Sequence, residues 1–537
     1  MNGYGLRSGD LFVRGSHRYR SFESYLLEKD RWHELRAAGT TRLALTMTAQ
    51  EYIADRQHLI TDLLTKLHRD LEHLPWISVD AHGTLHLAAL KAATPPDVKA
   101  IRQRIYRTLP RIPLAELLLD VDATTGCFDH CTHLSTGEAP RGERRLMVLA
   151  AVMGLGMNYG LGTMAASTLF SYRQLAWAAD WHIRDETLTK VQAVLDNYVL
   201  HHPQSRAWGD GTRSSSDGMR VKIRVRAANA DRNAAHFGPD RGATIYTHTA
   251  DVGPPYAQKV ISTNDREALH VIDALCSHET DLNIHEHYTD THGYTTHVFA
   301  LCAFLGFRFA PRISNLLDQS LYTIGRPGDY GPFTALLKGR ANTLVISRNW
   351  EQAARVAASI RHGTVSAALI MRKLAAYPRQ NQVAQALHEI GQIEKTIHTL
   401  ELLRDEQLRH RIEQGLNKGE LVNSAGRALF IGQRGEFRDR AFQDQVHRAS
   451  CLNLLIAAIA AWTTAYLGDA IAAVRAAGVD IPKEYLAHIS PIAWEHVHLL
   501  GWHPFDPSVA RSLDERRPLR SGIDYEDAGD DDVAAAT

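Results

Sequence analysis

The chain has 537 residues, 45% of them apolar, with 60 Lys and Arg balancing 60 Asp and Glu, so it has a globular composition and the length of roughly three or four domains. A formal net charge of zero excludes a globally basic protein, and any nucleic-acid field must come from local clusters of cations. The five cysteines, Cys127, Cys131, Cys276, Cys302 and Cys451, are too sparse for a disulfide framework and fit a reducing cytoplasm.

In chain order, Met1 to Arg7 lacks the apolar run of a signal peptide. Residues 10–22 alternate like a small hairpin around Gly15-Ser16, while 23–37 and 49–74 carry helical periodicity. Residues 124–142 are polar, contain Gly and Pro, and predict a loop. Within it Cys127, Cys131 and His133 invite a metal reading. A closed zinc site needs four ligands and no fourth follows at finger-like spacing, so free thiols are expected. Two apolar runs, 146–157 and 452–467, fall short of the ~20 residues of a membrane span. Both predict buried helices, and no membrane association is expected.

The glycine-rich stretch Gly154 to Gly162 fails as a phosphate loop. One frame has Tyr159 where the last glycine belongs; the other, Gly160 to Ala165, follows a helical pattern and lacks a Gly-Lys-Ser/Thr continuation. A helix–helix junction is expected there.

Strand patterns begin after Trp208. Ser214-Ser215-Ser216-Asp217-Gly218 reads as a strand end with Asp217 in the turn that follows, and His287 to Tyr294 presents Asp290 in the same way. Arg220 to Arg226 alternates strictly, placing Arg220, Lys222, Arg224 and Arg226 on one face. That face is either a DNA-contacting ribbon beside Asp217 or a charged edge strand protected from aggregation. Residues 244–249 predict a further strand, and Asn264 with Glu267 a capping-box start for the helix bearing Ala268, Leu269, Ile272 and Leu275. Strands over 283–288 and 307–309 flank a helix over 298–305. The resulting β-β-β-α-β-α-β order predicts an α/β core with an RNase-H-like mixed sheet.

The expected organisation is a mainly helical region over 1–200, the first part of the core over 201–324, a helical insertion over 325–414, the second part of the core over 415–503 with a helix starting at Glu420, and a disordered tail over 504–537. Asp217, Asp290 and Glu420 then suggest a nuclease-like centre. Two-metal phosphoryl chemistry needs carboxylates that bridge ions ~3.5–4 Å apart, and hard oxygen ligands suit magnesium. Asp217 is expected to be shared by both ions, with Asp290 and Glu420 each serving one. Glu436 competes for the third place, but Arg434, Arg438 and Arg440 flank it and favour an ion-paired or phosphate-contacting loop. His285, His287, His292 and His297 crowd Asp290 and offer a zinc alternative, which lacks a His-Glu-x-x-His helix. His292 is a candidate contact to DNA or the scissile phosphate.

Six blocks, in order, carry a resemblance: Ser214 to Gly218, Thr244 to Thr249, Glu286 to Tyr294, Phe309 to Ile313, Leu416 to Glu420 and Gly435 to Arg440. They resemble the C-terminal part of transposases of the Tn-three family, the replicative class II elements, from about Leu6 to Trp494. The resemblance implies a DDE transposase whose Asp217, Asp290 and Glu420, spaced by 73 and 130 residues, match the catalytic triad. It implies two magnesium ions, with manganese as a substitute, and double-stranded DNA, both transposon ends and target, as substrate. Arg220, Lys222, Arg224, Arg226, His292, Arg438 and Arg440 are the expected DNA contacts, and a homodimer is expected. The chemistry implied is nicking at the transposon ends followed by transfer of the 3′-hydroxyl into target DNA, giving a cointegrate. Members of the family are close to twice this long, so a truncated chain lacking inverted-repeat recognition is expected, and Thr296 stands where an acidic residue belongs. A non-catalytic fragment that regulates intact transposase and a stand-alone RNase-H-like nuclease are the alternatives.

Overall fold

The computed structural model describes residues 12–16, 20–91, 95–376 and 381–520. The N-terminal part is helical as its periodicity predicts, with Ala49–Asp70 opened by a capping box between Thr48 and Glu51. Of the hairpin expected over 10–22, the described residues form a turn, with Ser16 N donating to Val13 O at 3.1 Å, and no strand. Two apolar helices, α1 (Glu143–Gly156) and α2 (Asp185–His201), lead into the sheet. The glycine-rich stretch is a helix–helix junction, with Gly160 capping the helix Leu161–Ala166. Cys127 and Cys131 are buried free thiols.

The central strand is β1 (Arg213–Ile223). β2 (Arg241–Ala250) runs antiparallel to it and β3 (Pro255–Ser262) antiparallel to β2; β4 (Glu286–Thr289) and β5 (Arg308–Phe309) continue on the other side in parallel. The sheet order is β3-β2-β1-β4-β5, with a sixth, two-residue strand Asp231–Arg232 also paired to β2, and it is the mixed sheet expected from the element order.

Two details differ from expectation. The ladder between β1 and β2 runs unbroken from Ser214 opposite Ala250 to Ile223 opposite Arg241, so Asp217-Gly218 lies mid-strand instead of in a turn. Residues before and after it belong to one strand, which has a strand on both sides only over residues 213–216; from Asp217 to Lys222 it has a strand on the β2 side alone, and Arg224 and Arg226 lie beyond its end, so the edge-strand reading of the cations stands beside the DNA-contacting one. The third strand is β3, whose proline start and polar Gln258 and Lys259 mask its alternation. Likewise Glu267 caps no helix. Asn264 Nδ2 donates to Arg232 O at 3.2 Å, and Glu267 begins a 3-10 turn, Glu267–Leu269, before the short helix Val271–Cys276.

α3 (Thr296–Leu305) joins β4 to β5. Beyond β5 come Thr343–Arg361, Ala367–Ala376, α4 (Gln382–Arg404) and α5 (Glu406–Leu429). Within the helical insertion expected over 325–414, α4 and α5 are separated at Asp405, whose Oδ1 accepts from Leu408 N at 3.0 Å and caps α5. Glu420 therefore lies within α5 instead of opening a helix. α6 (Phe442–Ala476) is apolar around its circumference, as an interior helix must be. It is the one described helix long and apolar enough to cross a membrane, and 94% of its most apolar window is buried inside the protein. It packs on α1, α2 and β3.

The tail expected over 504–537 is ordered where it is described. Phe505 and Leu513 are buried, and Arg517 Nε donates to the buried Asp120 at 3.0 Å. Residues 521–537 lie outside the described residues.

α3 and α4 cross so closely that a Cβ on Gly391 would stand 1.8 Å from the Thr296 carbonyl oxygen. Helix propensity alone favours Ala over Gly by ~1 kcal/mol, but backbone cannot yield as a flexible side chain does. Gly391→Ala is expected to destabilise the protein by ~1–3 kcal/mol, and an increased urea midpoint for that variant would show that propensity outweighs the crossing.

Candidate active site

The serine run beside Asp217 has a structural purpose. Alternate serines of β1 face opposite sides of the sheet. On one side Ser214 Oγ and Ser216 Oγ lie 2.7 and 2.9 Å from Nδ1 and Nε2 of His287 on β4. Tyr246 OH meets Ser216 Oγ at 2.6 Å, and Tyr256 OH donates to Ser214 Oγ at 3.3 Å. His287 is fully buried, with His248 stacked at 5.3 Å, and burial holds its pKa well below the ordinary value. A neutral imidazole donates through one nitrogen and accepts through the other, so it engages both serines. This clamp joins the strand that bears Asp217 to the strand that ends at Asp290.

On the opposite side α5 lies directly on β1. Ser215 Oγ donates to Gly415 O at 2.7 Å, and a Cβ on Gly415 would stand 2.3 Å from the Tyr288 ring. Four residues on, a Cβ on Gly419 would meet Ser215 Oγ and Asp217 Cβ at 3.4 and 3.6 Å. One further turn brings Asn423, whose Nδ2 donates to Asp217 Oδ2 at 2.9 Å; the other carboxylate oxygen accepts from Gly218 N at 2.8 Å. Lys418 points the other way, donating to the carbonyls of Trp208 and Asp251 at 3.0 and 2.6 Å, and burial pushes its ammonium down to about 8. It anchors α5 to the entry of β1.

Asp290 follows β4 in a turn, its Oδ1 accepting from His292 N and Gly293 N, each at 2.9 Å. Asp217 has its proton affinity raised by burial and, more weakly, by the charge of Asp290. A residue unmarked by the sequence pattern completes the group. Glu267 stands over Gly218, and burial, then Asp217 and Asp290, push its carboxyl up to about 7, with Arg220 opposing. Glu420 is exposed on α5 three residues before Asn423, and it is not among the charges that act most on Asp217. The structure thus gathers Asp217, Asp290 and Glu267 and leaves Glu420 at the flank. Among the described residues no three His, Cys, Asp or Glu side chains stand close enough to hold a metal ion. The donor chemistry nevertheless fits a hard divalent cation, because crowded carboxylates of raised proton affinity are what such an ion neutralises.

The zinc alternative fails on geometry. His287 is locked in the clamp, His297 Nε2 lies 3.1 Å from Ala384 O, and His285 and His292 are exposed. Thr296, at the position expected to be acidic, meets His388 Nδ1 at 2.8 Å.

Of the candidate DNA-contacting cations, Lys222 and Arg224 are engaged internally. Both pair with Asp240, at 3.1 and 2.9 Å, and Arg224 also pairs with the buried Glu436 at 2.9 Å. Glu436 is therefore an ion-pair partner, of Arg224 and not of its neighbouring arginines. Arg220, Arg226, Arg438 and Arg440 are exposed. The 437 segment bridges the end of β1 at Ile223, which brings these cations to one margin of the sheet. Asn158, from the glycine-rich junction, holds that segment by donating to the carbonyls of Gly432 and Glu436 at 2.8 and 3.0 Å.

The family model for the Tn3 transposase DDE domain matches residues 116–503. The chain belongs to this family. Its fold is accordingly RNase-H-like, and the carboxylates described above lie within the matched DDE domain. A transposase for transposon Tn1546 from Enterococcus faecium is 44% identical over 518 residues, 96% of this chain and 52% of that protein. A transposase for transposon Tn501 from Pseudomonas aeruginosa is 40% identical over 519 residues, and one for transposon gamma-delta from Escherichia coli 28% over 527. The chain spans about half the length of these Tn3-family relatives.

The buried histidines have consequences for stability. His287→Phe leaves the hydroxyls of Ser214 and Ser216 without their partner and is expected to destabilise the fold by ~2–4 kcal/mol, since each unsatisfied buried group costs ~1–3 kcal/mol. Equal denaturation midpoints for variant and parent would contradict the clamp. Burial also pushes His248, His297 and His398 down to about 4, and His496 to about 3. These rings stay neutral in the fold while the unfolded chain protonates below about 6.5, so stability falls as pH drops from 6.5 towards 4, by up to ~1.4 kcal/mol per unit for each ring. Burial lowers His182, His270 and His287 in the same direction. Asp196, Asp217, Asp251 and Glu267, with raised proton affinity, oppose this but are outnumbered by the depressed histidines. The urea midpoint at pH 5 should lie below that at pH 7.5.

Proposed function

We propose that this chain is the catalytic half of a transposase, a polynucleotidyl transferase that nicks DNA at transposon ends and joins the exposed 3′-hydroxyl to target DNA in a replicative reaction. The observation that carries this reading is that Asp217 and Asp290 each directly follow the last paired positions, Ser216 opposite Thr289, of two adjacent parallel strands, with α5 and Asn423 laid against Asp217, inside a DDE domain. Asp217, Asp290 and Glu420 would hold two divalent ions, magnesium by the hardness of their oxygens. The chemistry such ions would supply there is activation of the attacking oxygen and stabilisation of the leaving one.

The chain's own residues set up that chemistry. Asn423 fixes the rotation of Asp217, and the amides of His292 and Gly293 fix Asp290. Glu420, exposed on α5 one turn before Asn423, would supply the third carboxylate. Arg220, Arg226, Arg438 and Arg440 meet DNA phosphates, with His292 close to the scissile one, because phosphate contacts position a duplex without reading its sequence. Lys222 and Arg224 shape this margin through Asp240 and Glu436.

The purified chain with magnesium should nick branched or transposon-end duplex, and Asp217→Asn, Asp290→Asn and Glu420→Gln should each reduce cleavage below detection while DNA is still bound. Binding without cleavage by the parent chain would favour a regulatory role and sink the catalytic one. Duplex affinity should fall steeply with salt. Arg220→Ala with Arg226→Ala should lower the log–log slope by ~1.8, at ~0.9 per lost contact, and Lys222→Ala with Arg224→Ala by less, because those two cations already have partners.

A further inference from the structure

Arg438 and Arg440 are exposed, yet the carboxylate of Asp439 between them is held from inside the protein. Arg448, in the second turn of α6 and only 6% exposed, donates from Nε and Nη2 to Asp439 Oδ2 and Oδ1 at 2.6 and 3.1 Å, a two-pronged ion pair. Its Nη1 donates to Asn158 Oδ1 at 3.1 Å, and Asn158 in turn holds the carbonyls of Gly432 and Glu436. One turn earlier on α6, the fully buried Gln445 donates to the Asp439 carbonyl at 2.9 Å and accepts from Asn229 Nδ2 at 2.8 Å. Asn229 lies just beyond Arg226, so this knot ties both cation-bearing loops to one helix. Within the 433–440 loop, Gln433 and Arg434 keep a left-handed backbone, φ 52° and 62°, which side chains other than glycine adopt only where their surroundings impose it.

Stability alone does not account for the pair of Arg448 and Asp439. Burying two charges costs their hydration, and apolar residues in place of such a pair are often as stable. What the pair does that apolar residues could not is electrostatic. Arg438-Asp439-Arg440 sets one carboxylate between two guanidinium groups, and guanidinium and carboxylate match each other's geometry closely. Left unneutralised, Asp439 is the nearest acid for both arginines. With Arg448 holding it inward, neither Arg438 nor Arg440 makes an ion pair or a hydrogen bond among the described residues. The other acids of this margin do not change the balance. Asp240 and Glu436 are taken up by Lys222 and Arg224, and Asp444, exposed in the first turn of α6, makes no ion pair among the described residues.

We infer that Arg448 is a positioning residue for duplex binding: it takes up Asp439 from inside the protein and so keeps Arg438 and Arg440 free for DNA phosphates. The inference rests on the reading of this margin as a DNA contact and names the buried residue that keeps the contact available. Arg448 itself does not reach DNA. It acts through the charge it removes from the surface, and none of Asp217, Asp290 or Glu420 takes part, so the effect is measurable without metal.

The test is the salt dependence of duplex binding by the full chain in EDTA, read by fluorescence anisotropy of a labelled duplex. Arg438→Ala with Arg440→Ala should lower the log–log slope by ~1.8, at ~0.9 per lost contact. Arg448→Met should lower it by ~0.9 for each arginine that Asp439 captures, and adding Asp439→Asn to Arg448→Met should restore the parent slope, because both arginines are free again. A fold that is merely weakened reduces the binding-competent fraction and leaves the slope unchanged, so the slope separates placement from stability. A parent slope in Arg448→Met, or a lowered slope that Asp439→Asn does not restore, overturns the inference while the DNA reading stands. An unchanged slope in the variant of Arg438 and Arg440 instead removes those two arginines from the DNA contact, and the inference falls with it. If Arg448→Met does not fold, Arg448→Gln, which still donates to Asp439 without neutralising it, decides by the same comparisons.

Discussion

The site depends on a buried neutral imidazole. His287 accepts and donates at once, and the two serines it joins are on the strand that carries Asp217. Parallel strand pairs are held by evenly spaced but slanted ladder bonds, and here β1 and β4 share only four paired positions, from Arg213 opposite Glu286 to Ser216 opposite Thr289. A ladder that short leaves the strand ends free to splay. The clamp supplies the additional constraint next to the two aspartates, inside the core, where a hydrogen bond is stronger and an unmade one more costly.

The opposite face is governed by close packing instead of polar contact. Gly415 and Gly419 let α5 approach the sheet until its backbone carbonyl accepts from Ser215, and that approach places Asn423 on Asp217. The helix is thereby a rigid arm whose inner side orients Asp217 and whose flank carries Glu420. Between those two glycines Lys418 pins the middle of the helix to the carbonyls of Trp208 and Asp251. Burying Asp217 and Glu267 beside each other and Asp290 is electrostatically unfavourable, and their raised proton affinities express first that burial and then the neighbouring charges. A centre built this way is predisposed towards a cation.

Much of the architecture was legible because it is written in short-range patterns. Residues 244–249 alternate and became β2; 298–305 are apolar at helical spacing and became α3; 452–467 are apolar throughout and lie inside α6. Reading failed where the local signal was ambiguous. Gly218 looks like a turn residue, yet it continues a strand because β2 pairs with it on one side and Glu267 fills the space above it on the other. Asn264 and Glu267 look like a cap, but each finds a partner or a neighbour elsewhere in the fold. The residues after 504 have the charge of a solvated tail, yet Arg517 finds Asp120, 397 residues away.

The sequence by itself determined much of the order of elements and membership of a transposase family, because periodicity and short motifs survive without three-dimensional context. Only the tertiary structure decided which groups share an environment. Asn423 reaches Asp217 from 206 residues away, and Lys222 and Arg224 are taken up by Asp240 and Glu436 while Arg220 is left exposed. Such pairings arise from how helices and strands pack, and packing at these separations leaves no trace in the spacing of residues along the chain.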